Sequence, residues 1–119
     1  MDFSTGHCGH EEELVALFTS TFTASEGADE GTLIGGLVRN LLSGAADDDL
    51  HVFTARADGV IIAAAIFSRM AYSEDPRTVF ILSPLAVAPS HQRQRIGQQL
   101  VAYALAALRG MGVDVAVTY

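Results

Sequence analysis

The stretch PLAVAPSHQRQRIGQQL, residues Pro84 to Leu100, decides how the rest of the chain is read. It overlaps an apolar run, Val79 to Val87, whose length and β-branched content predict a buried strand. A Pro-Ser turn follows at Pro89 and Ser90, then a polar segment carrying Arg93 and Arg95. Gly97 then opens an apolar-periodic helix. A strand that feeds a glycine-containing loop into a helix N-terminus makes an anion site. The free N–H groups of the first turn and the positive end of the helix dipole point at one spot. Two arginines beside it suit a pyrophosphate, because guanidinium groups fork onto phosphate oxygens.

Downstream, the helix is predicted from about Arg95 to Arg109, with Ile96, Leu100, Val101, Ala104, Leu105 and Leu108 as its apolar face. Gly110 and Gly112 stop it, and Val113 to Tyr119 reads as a last strand, parallel to the first through a right-handed crossover. Upstream, Leu50 to Ala57 and Val60 to Tyr72 read as strands joined at Asp58-Gly59, a pair favoured in type I′ hairpin turns. Ala63, Ala64 and Ala65 leave room for close packing. A second turn, Ser73 to Arg77 around Pro76, leads into the Val79 strand, so three consecutive strands are antiparallel. Ser83-Pro84 interrupts the third; proline cannot donate to the ladder, which predicts a bulge or a splay.

Nearer the N-terminus, residues 1 to 7 predict an edge strand ending near Thr5-Gly6. A helix follows from about His10 to Thr23, burying Leu14, Leu17, Phe18 and Phe22, with Glu11, Glu12 and Glu13 favouring its first turn. Ala24 to Gly31 reads as a polar connection. A second helix is expected over Thr32 to Leu42, with Ile34, Leu37, Val38, Leu41 and Leu42 as its buried stripe and Ser43-Gly44 as its end. Gly35 and Gly36 each weaken it by roughly 1 kcal/mol relative to alanine, which predicts a bend or a close backbone approach there. Ala45 to Asp49 is an aspartate-rich turn.

With 119 residues, half of them hydrophobic, the chain is one globular domain with a modest core. No apolar run is long enough to span a bilayer and the N-terminus has no secretory pattern, so the expected location is cytoplasmic. The single Cys8 has no internal disulfide partner. The net charge is −7 and all seven basic residues are arginines, which argues against nucleic-acid or anionic-membrane partners. His91, Arg93 and Arg95 form a local basic patch, while acids cluster at residues 11–13 and 47–49. An acidic surface favours a cationic, amine-bearing ligand.

The hexapeptide Gln92-Arg93-Gln94-Arg95-Ile96-Gly97, preceded by Leu85-Ala86-Val87 and followed by a long amphipathic helix, resembles the acetyl-CoA loop of the GCN5-related N-acetyltransferases (GNAT). The family pattern is Gln/Arg-x-x-Gly-x-Gly/Ala. Gln92 and Gly97 match its first and last positions, and Arg95 stands where the family has its first glycine. The element order β-α-α-β-β-β-α-β is similar to the front of that fold: an α/β (α+β), acyl-CoA N-acyltransferase-like, mixed and mostly antiparallel sheet flanked by helices. Family members continue with another helix and two strands, so the expectation is a single domain over residues 1–119, truncated at its C-terminus.

The resemblance implies acetyl-CoA as co-substrate and acetyl transfer to an amine of a small molecule or peptide by direct attack. It implies that main-chain groups of Leu85, Ala86 and Val87 hold the acetyl carbonyl and pantetheine arm. Loop N–H groups from Arg93 through Gln94, Arg95, Ile96 and Gly97 to Gln98 would hold the pyrophosphate, with Gln92 opening the motif. Arg95 either crowds that approach or turns outward and adds a phosphate contact.

The reaction needs a base, an oxyanion donor and an acid. The family often places a glutamate on the motif strand or its neighbour, and none occurs between Thr78 and Ala88. Glu74 and Asp75 read as solvated turn residues, Ser83 as a bulge residue and Tyr72 as packing. The family's acid is commonly a tyrosine on the helix beyond Tyr119, so the catalytic residues are unassigned. His7-Cys8-Gly9-His10 with Glu11 offers metal-ligand types, but too few for a structural zinc site, and no metal is expected. His51 is isolated and His91 reads as a turn residue beside the phosphates. Two rival readings are a non-catalytic acetyl-CoA-binding module and a metal-dependent regulator using His7, Cys8 and His10. An open final sheet edge admits a homodimer.

Overall fold

Every strand of the sheet pairs with its neighbours in sequence, in the order β1-β2-β3-β4-β5. The structure is a computed structural model; it describes residues 2–7, 9–44, 49–70, 79–92 and 94–117, and the side chains of Met70 and Ser83 fall outside that description. The strands are β1 (Asp2–Thr5), β2 (Leu50–Ala57), β3 (Val60–Met70), β4 (Val79–Val87) and β5 (Val115–Val117). The first four are antiparallel, and β5 runs parallel to β4 after the crossover helix. The helices are α1 (Glu11–Glu26), α2 (Ala28–Gly44) and α3 (Ile96–Gly110). The expected element order and the mixed, mostly antiparallel architecture are both present. The predicted turn over residues 73–77 lies outside the described residues.

The sheet separates two cores. On one face, Leu14, Leu17 and Phe18 of α1 and Val38 and Leu42 of α2 pack on Val52, Ala64, Ile66 and Ala86. On the other, Ile96, Leu100, Ala104 and Leu108 of α3 pack on Phe53, Ala65, Phe67 and Phe80. Burial on both faces explains why β2 and β3 read as near-continuous apolar runs, and why Ala63, Ala64 and Ala65 are each fully buried. The hairpin Ala57↔Val60 closes through Asp58 and Gly59, both at positive φ (53° and 80°), as a type I′ turn requires.

Two bulges change which way side chains face. In β3, Ala55↔Ala63 is followed by Arg56↔Ile61, which leaves Ile62 without a β2 partner and puts Ile62 and Ala63 on the same side. In β4, Ala65↔Leu85 is followed by Phe67↔Leu82, so Ser83 and Pro84 together oppose one residue of β3. The interruption predicted at Ser83-Pro84 is therefore a bulge. It flips the alternation, and Leu82 and Leu85 both face α3.

The helical pair departs from the sequence expectation. No eight-residue connection separates α1 from α2. Gly27 alone (φ 101°) turns the chain, its N–H donating to the Thr23 carbonyl oxygen at 3.0 Å, and residues 24–26 and 28–31 are helical. The buried stripe of α2 is also rotated: Gly31, Gly35, Val38 and Leu42 are buried, whereas Leu37 is exposed. The cause is close helix approach. A Cβ at Gly31 would overlap Thr23 Oγ1 and lie 2.8 Å from the Thr19 carbonyl oxygen, and one at Gly35 would overlap Thr19 Oγ1. The close approach expected at Gly35-Gly36 thus falls on Gly35 and its partner Gly31, while Gly36 faces open space. Arg39 grips Glu12 across the two helices through both guanidinium nitrogens and holds that exposed carboxyl below its usual range.

Gly31→Ala is expected to lower stability by about 1–3 kcal/mol through overpacking. Gly36→Ala is expected to raise it by about 0.5–1 kcal/mol by favouring the helix. Urea midpoints for the two variants will move in opposite directions.

Candidate functional site

Beyond Ile81, β4 has no strand on its outer side among the described residues, because β5 pairs only with Val79, Phe80 and Ile81. Among the described residues, main-chain groups from Leu82 to Val87 therefore have no strand beside them on that side. Past Val87 the chain is tied down twice. The Ala88 N–H donates to the Ile62 carbonyl oxygen at 2.7 Å, and Gln92 Nε2 donates to the Val87 carbonyl oxygen at 3.0 Å. Between them sits a single 3-10 turn, Pro89–His91, closed by the His91 N–H on the Ala88 carbonyl oxygen. Gln92 so folds its own side chain back onto the strand it leaves.

Arg95 precedes the first residue of α3 and adopts the left-handed conformation (φ 60°, ψ 19°). This is the physical reason a glycine suits that position, since a side chain there costs about 1–2 kcal/mol. The Arg95 side chain is exposed rather than folded into the loop. No side chain caps α3, and its first intrahelical bond is Gln99 N–H to the Arg95 carbonyl oxygen at 3.0 Å. The N–H groups of Ile96, Gly97 and Gln98 consequently point out of the helix start, where the dipole is positive.

Two cavities meet at this helix start. One, of about 290 Å³, is lined by Val87, His91, Gln92, Arg95, Ile96, Gly97 and Gln98. The other, of about 540 Å³, is lined by Leu82, Leu85, Gly97, Gln98, Val101, Ala102 and Leu105. Gly97 and Gln98 belong to both, so a cradle bearing His91, Gln92 and Arg95 runs into an apolar groove between β4 and α3. A Cβ at Gly97 would meet only Val87 Cγ2, at 3.4 Å, so the fold itself tolerates a side chain there. What glycine preserves is the space at the junction.

Of the expected site residues, Leu85, Val87, Gln92, Arg95, Ile96, Gly97 and Gln98 line the two cavities. Ala86 points the other way, into the α1 core, and offers only its main chain. Gln94 is exposed beside the loop, and Arg93 lies outside the described residues. Cys8, Tyr72, Glu74, Asp75 and Tyr119 also lie outside them, as does the side chain of Ser83. His51 stands away from the loop, tilted against the Phe80 ring at 4.9 Å, and His7 and Glu11 border a separate depression with it. Leu82, Val101, Ala102 and Leu105 are groove residues that the motif does not name. Their signal was an apolar face on α3 wider than the sheet can cover: Leu105 remains 38% exposed.

A family model described as the acetyltransferase (GNAT) family matches residues 11–119. The chain belongs to the GNAT family of acetyltransferases. Solved GNAT structures share its fold. An aminoglycoside acetyltransferase from an uncultured soil metagenomic sample superposes with a TM-score of 0.74 at 20% identity, covering 99% of this chain and 78% of that one. A ribosomal-protein-alanine N-acetyltransferase from Brucella melitensis biovar Abortus 2308 gives 0.73 at 17% identity, with 99% and 79% covered. The aminoglycoside N-acetyltransferase AAC(6')-Iy, solved in complex with CoA, gives 0.68 at 25% identity, with 99% and 75% covered. No curated protein matches the sequence significantly.

Arg95→Gly should relieve the left-handed strain at the loop and raise stability by about 0.5–1 kcal/mol, less than the full strain because glycine also loosens the unfolded chain. A rise in the urea midpoint checks this.

Proposed function

We propose that this chain binds acetyl-CoA along β4 and α3 and transfers its acetyl group to an amine by direct attack on the thioester. What carries the proposal is the continuity of the cradle with the apolar groove through Gly97 and Gln98. A phosphate-bearing ligand with a long thin arm needs both, in that order. The residues fit it. Outward N–H groups at Ile96, Gly97 and Gln98 and the exposed Arg95 suit a pyrophosphate. The edge of β4, without a strand beside it past Ile81 among the described residues, offers main-chain groups of Leu85, Ala86 and Val87 to the amides of a pantetheine arm. Leu82, Leu85, Val101 and Leu105 supply an apolar wall.

Bound there, acetyl-CoA supplies an activated acetyl group. The chain fixes that group against the acceptor, and orientation of this kind lowers the barrier by making the attack effectively intramolecular. A main-chain N–H of the Leu85–Val87 segment is the donor offered to the acetyl oxygen as charge develops on it. The described groove residues are apolar or amide side chains, so their part is to orient and to exclude water. The acceptor class we favour is a cationic amine, in keeping with the net charge of −7. The fold relatives named above act, by their names, on aminoglycosides and on a ribosomal-protein alanine.

Titration with acetyl-CoA should raise the melting temperature saturably, corresponding to about 2.7 kcal/mol at a hundredfold excess over Kd. Gly97→Glu, which keeps the fold but fills the junction with a carboxylate, should abolish the rise. Turnover is then read as free thiol released with an amine panel that includes an aminoglycoside and an alanine-initiated peptide. Binding without turnover would identify a non-catalytic module. No thermal shift in a folded sample would overturn the acetyl-CoA reading.

A further inference from the structure

Glu13, on α1, reaches across the sheet end to the β3 bulge. Its Oε2 accepts the N–H of Ile61 at 3.2 Å, while Oε1 lies 3.5 Å from His10 Nδ1 and 4.0 Å from Arg56 Nη1. The Ile61 N–H belongs to the residue just before the unpaired Ile62, where the β2–β3 ladder is out of register. A part-buried N–H without an acceptor is costly, so the carboxylate fixes the geometry of the bulge. The next residue passes that geometry on: the Ile62 carbonyl oxygen is the one that receives the Ala88 N–H at 2.7 Å. Ala88 is the first residue past β4, and four residues later Gln92 closes back on the Val87 carbonyl oxygen. One chain of contacts therefore runs from α1, through the bulge, to the entry of the anion cradle.

We propose that Glu13 is a positioning residue for the cofactor loop, setting the loop's entry through the Ile61–Ile62 bulge and Ala88. The role presupposes the acetyl-CoA reading above, but the anchor itself is testable without ligand. What matters is the reach of an acceptor oxygen to the Ile61 N–H, not the negative charge.

Two conservative variants separate reach from charge. Glu13→Gln keeps an oxygen at full reach and loses the charge toward Arg56 and His10. Glu13→Asp keeps the charge and withdraws the oxygen by one methylene. In Glu13→Asp, amide hydrogen exchange at Ala88 should accelerate about fivefold and the acetyl-CoA Kd should rise about fivefold, whereas Glu13→Gln should stay within about twofold of wild type in both. In the background of Gln92→Ala, which already frees the loop, Glu13→Asp should add less than its own fivefold. Unchanged Ala88 exchange in Glu13→Asp overturns the proposal, as does a lower melting temperature with an unchanged Kd. A loss seen in Glu13→Gln instead would assign the effect to charge and also overturn it. If wild type fails to bind acetyl-CoA, the functional reading falls, while the exchange measurement still decides the anchor.

Discussion

Among the described residues, strand β4 is hydrogen-bonded to β3 along its length but to β5 over three residues, and the candidate site depends on that asymmetry. Backbone N–H and C=O groups demand partners. Past Ile81, the main chain from Leu82 to Val87 has no neighbouring strand on that side among the described residues, and a ligand can supply what a neighbour does not. Pro84 adds a second effect from within. With no N–H to give, it sits in a bulge, and the extra residue reverses the alternation beyond it. Leu82 and Leu85 then line the same groove, which regular pleating would forbid. That edge and the bulge together turn an ordinary strand into one wall of the candidate site.

The other half of the site is a helix start held in a strained entry. Arg95 occupies a conformation that glycine adopts freely, and α3 begins immediately after it without a side-chain cap. Strain of this kind persists only where the surroundings enforce it. Here the enforcement comes from Gln92 on Val87, Ala88 on Ile62 and the buried Ile96, fully packed among the α3 core residues. The uncapped N–H groups are the useful product of that arrangement. A side-chain cap would satisfy them and leave fewer N–H groups for a ligand.

Much of this was legible in the sequence because the signals were local. Asp58-Gly59 fixed a hairpin to the residue, and Val79–Val87 stood out as an apolar run between turns. The Gln92–Gly97 motif marked the turn that leads into α3, although an arginine stands in its glycine position. The helical pair was less legible, since its packing is decided by what is missing. Gly31 and Gly35 carry no apolar signal, so the stripe through Leu37 looked stronger; only the proximity of Thr19 and Thr23 shows which face is inside. The same deficit hid the single-residue turn at Gly27, because polar residues 24–31 resemble a loop and fold as helix. Glu13 was read as a favourable charge in the first turn of α1. Its contact with Ile61 joins residues 48 positions apart, and no local pattern encodes it.

The sequential strand order bears on how the protein is made. Because each strand adds beside the one just before it, no strand must be inserted between two already paired. Emerging from a ribosome, the chain can lengthen its sheet in a single direction, with α1 and α2 already available to cover one face. The two hairpin connections keep these contacts short-range, which favours rapid folding. The exceptions are the step from β1 to β2, which spans α1 and α2, and the step from β4 to β5, which must await the whole of α3. The β4 edge is therefore flanked by β5 only after α3 is complete.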